Sequence, residues 1–173
     1  MVFTKKLNVL VGKAGGELLQ IEAWGKDSLR VRATRYAQFN KNDWALTEPV
    51  KGAAKVEIAK DGNAEIVNGK MKITVTPSGV LTFFKDGKQI LREYHRCYDP
   101  AVTKESCALK IVPREYTPII GGDYKLTVRF NSNDGEQIFG MGQYQQSYLD
   151  LKGCVLELAQ RNSQISIPFA LSS

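Results

Sequence analysis

A single histidine, three cysteines and no long apolar run set the first limits on this chain. His95, Cys97 and Cys107 lack a CxxC pair and a fourth ligand, so they do not read as a zinc site, and no other metal or cofactor motif is present. Three cysteines, Cys97, Cys107 and Cys154, cannot all pair, which excludes the dense, even framework of a small secreted domain. Cys97 and Cys107 share an irregular stretch that allows one bridge, although unpaired thiols are the preferred reading. No apolar run approaches the ~18 residues of a membrane helix. The opening Met1-Val-Phe-Thr-Lys-Lys has no signal-peptide core, and no Asn-x-Ser/Thr sequon occurs. The chain as given therefore reads as soluble, without a membrane partner, and its compartment stays open between cytoplasm and periplasm. Missing too, through the first half of the chain, is any segment of ten residues or more with a 3.6-residue apolar period that would read as a helix. Gly140-Met141-Gly142 lacks a following Gly-Lys-Ser/Thr and does not make a phosphate loop. Ser147, Ser172 and Ser173 have no histidine or acid at a spacing that suggests a triad.

What is there is ordinary globular material: 173 residues, 43% hydrophobic, 24% charged, with 15 glycines. The length predicts one domain, residues 1–173, with room for a sizeable core. The net charge of +6 comes from basic residues scattered at alternate strand positions such as Arg30, Arg32, Lys125 and Arg129. That is the pattern of a solvated sheet face, not of a nucleic-acid stripe.

Short alternating runs separated by turn residues dominate the order of the chain. Residues 7–11 make a first apolar run, closed by Gly12 and the Gly15-Gly16 pair. In residues 17–24, Leu19, Ile21 and Ala23 alternate with Gln20, Glu22 and Trp24, and after the turn at 25–28, Leu29, Val31 and Ala33 alternate with Arg30, Arg32 and Thr34. A polar loop carrying Trp44 follows, where the indole reads as packing over a core edge in preference to stacking on a sugar. Residues 54–58, 64–67, 71–76, 80–84 and 88–91 form a meander whose Asp86-Gly87 turn suits a type I′ hairpin. After an irregular stretch around His95, residues 107–112 and 124–130 resume strand character. Together these predict an all-β, antiparallel β-sandwich.

The segment 135–173 has the richest chemistry. Apolar runs at 137–139, 155–158 and 165–171 alternate there with Gly, Gln, Tyr and Asn. Gly140 and Gly142 bracket Met141, which lets the backbone bulge at low steric cost and re-aims the side chains after it. Gln143, Tyr144, Gln145, Gln146 and Tyr148 come next, combining amides and phenols that bond hydroxyls with rings that stack on apolar faces, as sugars require.

In order and spacing, EQIFGMGQ (136–143), LDLKG (149–153), QRN (160–162) and IPFALSS (167–173) resemble the N-terminal β-sandwich domain of glycoside hydrolase family 31, the retaining α-glucosidases and α-xylosidases. LLQIEAWGKDSLRVRAT (18–34) is similar to that family's opening hairpin, and NGKMKITVTPSGVLTFFKDGKQILRE (68–93) to its middle hairpins. The likeness covers roughly residues 17–173. It implies a galactose-mutarotase-like supersandwich. In the family that sandwich continues past the IPFALSS-like strand into a Gly-Tyr-Gly strand, so a chain ending at Ser173 is expected to be truncated, with an exposed sheet edge.

Retaining glycosidases need two carboxyl groups roughly 5–5.5 Å apart. In the resembled family both come from a (β/α)8 barrel of ~250 residues, and nothing in this chain has that alternation or length. Asp123, Asp134, Glu136, Asp150 and Glu157 read as surface carboxylates, and one histidine is too few for a mutarotase-like acid and base. No residue is assigned a catalytic role, and the isolated chain is expected to be silent. By the resemblance, a loop between the FGMGQ-like and IPFALS-like strands helps shape the first sugar subsite over the barrel mouth, which maps to Gln160, Arg161 and Asn162. Arg161 would offer its donor fork to vicinal hydroxyls, with Asn162 adding a donor and an acceptor. The loop is shorter here than in many relatives, which carry an acid where this chain has Asn162 or Ser163. Gln143, Tyr144 and Tyr148 are expected either to pack against the barrel or to touch sugar. The reading is thus a non-catalytic domain of an enzyme acting on an α-linked glucoside or xyloside. The alternative is a free-standing carbohydrate-binding or protein-interaction sandwich. Association into an oligomer is left open.

Overall fold

A computed structural model describes residues 1–40, 42, 46, 52–96 and 110–173. Trp44, Cys97 and Cys107, and with them the indole packing, the disulfide and the first half of the strand expected at 107–112, lie outside the described residues. Among those described there is no helix, and every strand pairing is antiparallel. The chain divides into two units, residues 1–131 and 132–173.

In the first unit, β1 (Val2–Lys6), β2 (Val9–Ala14), β3 (Glu17–Ala23) and β4 (Leu29–Thr34) form a four-stranded sheet in chain order. A second, five-stranded meander contains β5 (Lys55–Ile58), β6 (Ala64–Asn68), β7 (Met71–Val75), β8 (Leu81–Lys85) and β9 (Lys88–Arg92). Alternation decides which face is buried. Leu10, Leu19 and Ile21 of the first sheet meet Val56, Ile66, Ile73, Val75 and Leu81 of the second in one buried cluster, with Leu29, Val31 and Ala33 packed against it. Burying each of these aliphatic side chains contributes roughly 1.5–3 kcal/mol. A hairpin of β10 (Arg114–Ile119) and β11 (Asp123–Val128) completes the unit.

The start of the chain differs from the first apolar strand expected at residues 7–11. Leu7 is not in a strand: it turns at φ 54° with its side chain 90% exposed, and β1 precedes it. Gly12 lies inside β2 and does not close it, because the space its side chain would fill is occupied by the Met1 Sδ at 2.5 Å and the Phe3 Cε1 at 3.0 Å. The Asp86-Gly87 turn is as the dipeptide predicts, with φ 49° and 80° joining Lys85 to Lys88.

Two polar devices lock the sheets together. The buried Asn68 amide donates to the carbonyls of Gly25 (2.8 Å) and Ser28 (2.7 Å), tying the β6–β7 turn to the β3–β4 turn, and the Asp27 Oδ1 accepts from the Lys70 N–H at 2.8 Å. Arg114 of β10 forks between Glu93, just after β9, at 2.5 Å and Glu17 of β3 at 2.7 Å, and its third nitrogen donates to the Gly79 carbonyl. Glu93 in turn accepts from the Leu81 N–H at 2.8 Å, and the Tyr116 hydroxyl donates to Glu17 at 3.1 Å. Burial pushes the Glu93 carboxyl up, against the pull of Arg114. Burial would lower Arg114, but Glu17 and Glu93 together hold it above its ordinary value. The Tyr116 phenol is raised by its burial and by Glu17.

The second unit pairs β12 (Ile138–Gln143) with β13 (Ile165–Ser172). The apolar run at 155–158 is not a strand. Val155 is 98% exposed and makes no ladder, so hydrophobicity alone did not find it a partner there.

Candidate functional site

Of the sequence-predicted site residues, Gln143 ends β12, and Tyr144, Tyr148, Gln160, Arg161 and Asn162 lie on the segment that connects β12 to β13. The register of the β12–β13 hairpin slips between Gly140 and Gly142, as the glycine bracket predicts, and Met141 sits at the slip with φ 64°. Both glycines are required twice over. Each has a positive φ, 96° and 111°, and a Cβ would meet the Phe169 carbonyl oxygen at 2.5 Å from Gly140 and that of Ile165 at 1.9 Å from Gly142. The bulge turns the Met141 carbonyl to accept from the Tyr144 hydroxyl at 3.0 Å.

Tyr144 and Gln160 converge on Ser166, a buried residue of β13. The Tyr144 hydroxyl and the Ser166 Oγ lie 2.9 Å apart, and the Ser166 Oγ donates to the Ala159 carbonyl at 2.9 Å. Gln160 donates from Nε2 to the Ser166 carbonyl at 2.8 Å and accepts at Oε1 from the Ser166 N–H at 3.1 Å. A side-chain amide thereby stands in for a neighbouring strand. Gln160 is committed to holding the 159–164 segment against β13, while the next two residues project from a turn. Arg161 forms an exposed i,i+4 ion pair with Glu157, the Gln164 N–H donates to the Arg161 carbonyl at 3.1 Å, and Ser163 closes the turn at φ 65°. Asn162 is exposed on that turn. Gln143, also exposed, pairs with Ile165 at the hairpin end, and Tyr148 lies on the following loop, half its surface open, with its phenol raised by a hydrogen bond to Cys154.

A clamp that the sequence did not reveal closes the other end of the hairpin. The Asp150 Oδ1 accepts from the Ile138 and Lys152 N–H groups, both at 3.0 Å, and these bonds hold its carboxyl below the usual range. Glu136 is lowered chiefly by the Ser172 hydroxyl at 2.6 Å and also by Lys152. An Asp two residues before a turn is a recognisable local signal for the Lys152 bond, whereas the bond to Ile138 spans the loop and leaves none.

Beside this network, β13 turns Ile165, Ile167, Phe169 and Leu171 to one face, and all four are more than half exposed. With Met141 and the bulge glycines, Ile165, Ile167 and Phe169 line a shallow apolar groove of about 380 Å³. Exposed apolar rows of this kind are found at protein, membrane and ligand contact surfaces.

No family model matches the chain. It is 43% identical over 167 residues to an uncharacterized family 31 glucosidase of Pseudescherichia vulneris, an alignment spanning 91% of this chain and 31% of that protein. It superimposes with a TM-score of 0.90 and 43% identity on a crystal structure of a GH31 α-xylosidase from a soil metagenome, complexed with xylose, covering 99% of this chain and 26% of the other. The chain resembles family 31 in both sequence and fold. An α-xylosidase A of Aspergillus niger is 26% identical over 92% of this chain and 23% of its own length. A GH31 α-xylosidase from Xanthomonas citri shares the fold, with a TM-score of 0.74 at 24% identity, over 97% of this chain and 18% of the other. The family 31 likeness thus runs through both units, and the chain spans less than a third of each of these relatives.

Proposed function

We propose that this chain is the N-terminal β-sandwich domain, residues 1–173, of a retaining α-glycosidase of the α-xylosidase or α-glucosidase type, and that it is non-catalytic. Its role is to support the catalytic barrel and to complete a sugar subsite. The row Ile165, Ile167, Phe169 and Leu171 carries this reading, because four large side chains exposed on one strand are an unburied half of an interface. The relatives it matches extend far beyond the aligned portion, which supports reading the partner of that face as a further part of a protein of this kind. Gln143 lines the groove beside that row, and Tyr144 and Tyr148 are read as further contacts of the same partner or of sugar. Gln160 anchors the loop, so that Arg161 and Asn162 are the residues offered to hydroxyl groups. Arg161 exchanges its solvent-exposed pair with Glu157, a weak interaction at such exposure, for a fork of bonds to vicinal hydroxyls.

The test is to assay the chain alone, the separately produced barrel alone, and the two mixed, on chromogenic α-xyloside and α-glucoside. Activity confined to the mixture, with a raised KM for Arg161→Ala, is the expected result. Turnover by the chain alone would overturn the non-catalytic reading.

A further inference from the structure

The chain holds one Asn-Gly dipeptide, Asn68-Gly69, and the fold of the first unit needs both of its residues. Asn68 pairs with Met71 across the β6–β7 turn, and Gly69 starts that turn at φ 58°. A side chain on Gly69 would run into the Asp27 carboxylate, so the position requires glycine for its space as well as for its angle. Asn68 is 6% exposed, and its Nδ2 donates to the carbonyls of Gly25 at 2.8 Å and Ser28 at 2.7 Å. Both amide hydrogens are used there, which makes asparagine's role at this position that of a double donor. The Asp27 Oδ1 adds a further restraint on the same turn by accepting from the Lys70 N–H at 2.8 Å.

These two structural requirements together create a reactive peptide bond. In an unrestrained chain the backbone nitrogen that follows an asparagine attacks the side-chain Cγ, and glycine hinders the attack least because it has no Cβ. A bond forms from the Gly69 nitrogen to the Asn68 Cγ, the bond from Cγ to Nδ2 breaks, and Nδ2 leaves as ammonia with the Gly69 amide proton. Water then opens the cyclic imide at either carbonyl, giving aspartate or isoaspartate at position 68. The folded contact opposes the first step, because Cγ has to turn toward the Gly69 nitrogen while two hydrogen bonds hold its amide in place. The product cannot restore the contact. A carboxylate would face two carbonyl oxygens with no hydrogen to donate, and isoaspartate would add a methylene to the backbone of a two-residue turn. We propose that Asn68 is a self-modifying site gated by this contact: it is stable while the β3–β4 and β6–β7 turns are joined and deamidates irreversibly once they part. The modification thereby marks chains whose two sheets have opened, independently of the subsite reading.

The experiment incubates the 173-residue chain at mildly alkaline pH, in buffer and in urea, and follows the tryptic peptide of residues 61–70 by mass spectrometry, with fragment ions separating Asn68 from Asn63. Conversion at Asn68 is expected in urea, and conversion in buffer is expected to be slower by about tenfold or more, because only the open fraction reacts. Asp27→Ala removes the neighbouring restraint and should raise the rate in buffer several-fold, with the rate in urea unchanged. Ile73→Val, a core change that reports global unfolding, should leave the rate in buffer near that of the parent chain. Converted chain returned from urea should unfold at a lower urea midpoint than unconverted chain treated alike, or fail to refold. Equal rates in buffer and urea, no conversion in urea, a rate in buffer indifferent to Asp27→Ala or raised equally by Ile73→Val, or an unchanged midpoint after conversion would each overturn the proposal.

Discussion

Gln160 satisfies both backbone groups of Ser166, donating to its carbonyl at 2.8 Å and accepting from its N–H at 3.1 Å. The residue that begins the QRN motif is thereby structural, and the two after it are left free of the sheet.

Gln160→Ala should loosen the loop by removing both bonds, at about 1–3 kcal/mol, and Gln160→Glu should retain only the bond from the Ser166 N–H. Amide hydrogen exchange at Ser166 reports it. Arg161→Ala should leave that exchange unchanged, which separates loop anchoring from sugar contact.

Gly142→Ala places a methyl 1.9 Å from the Ile165 carbonyl oxygen and should break the β12–β13 ladder around the bulge. Gly87→Ala is the control, since its φ is also positive, 80°, but open space surrounds it. It should cost only the left-handed penalty of about 1–2 kcal/mol, read from urea unfolding.

Arg114→Met strips the partner from Glu93, whose side chain is 2% exposed, and should destabilise the first unit by about 3–5 kcal/mol. The double change with Glu93→Leu should recover part of that loss, because the more deeply buried of the two carboxylates is then gone and only Glu17, 13% exposed, is left without Arg114. Urea midpoints of the two variants decide the matter.

Acid should open the second unit first at its clamp. Asp150 and Glu136 have folded-state pKa values below their ordinary ones, so their contribution is present above the unfolded carboxylate range near ~4 and is lost as pH falls through the lowered values. Exchange protection of the Ile138 and Lys152 amides should decline through that window. Asp150→Asn should flatten the dependence.

Alkali should act on the first unit in the opposite sense. Tyr116 is raised by burial and by Glu17, so its contribution is present below the unfolded tyrosine value of ~10 and is lost as pH rises towards the folded one. Tyr116→Phe should remove that alkaline loss in thermal unfolding.

Alternation, turn chemistry and glycine placement were legible in the sequence because they are local. Leu19 and Ile21 point one way by the two-residue period, Asp86-Gly87 accepts positive φ at both positions, and Gly140 and Gly142 let the backbone slip. The order of motifs was likewise enough to resemble family 31. Tertiary structure alone decided which polar residues are structural and which are free. Arg114 gathers Glu17 and Glu93 from distant strands, and Gln160 is spent on Ser166. It also decided that the apolar run at 155–158 is no strand, since a strand needs a partner to take its backbone hydrogen bonds. Arg30 and Arg32, which by sequence belong to a solvated face, lie half-buried against the rings of Trp24 and Phe39. Arg114 depends on residues far apart in the chain, and even the shorter-range pairs, Gln160 with Ser166 and Arg32 with Phe39, join side chains across turns that no periodic pattern encodes.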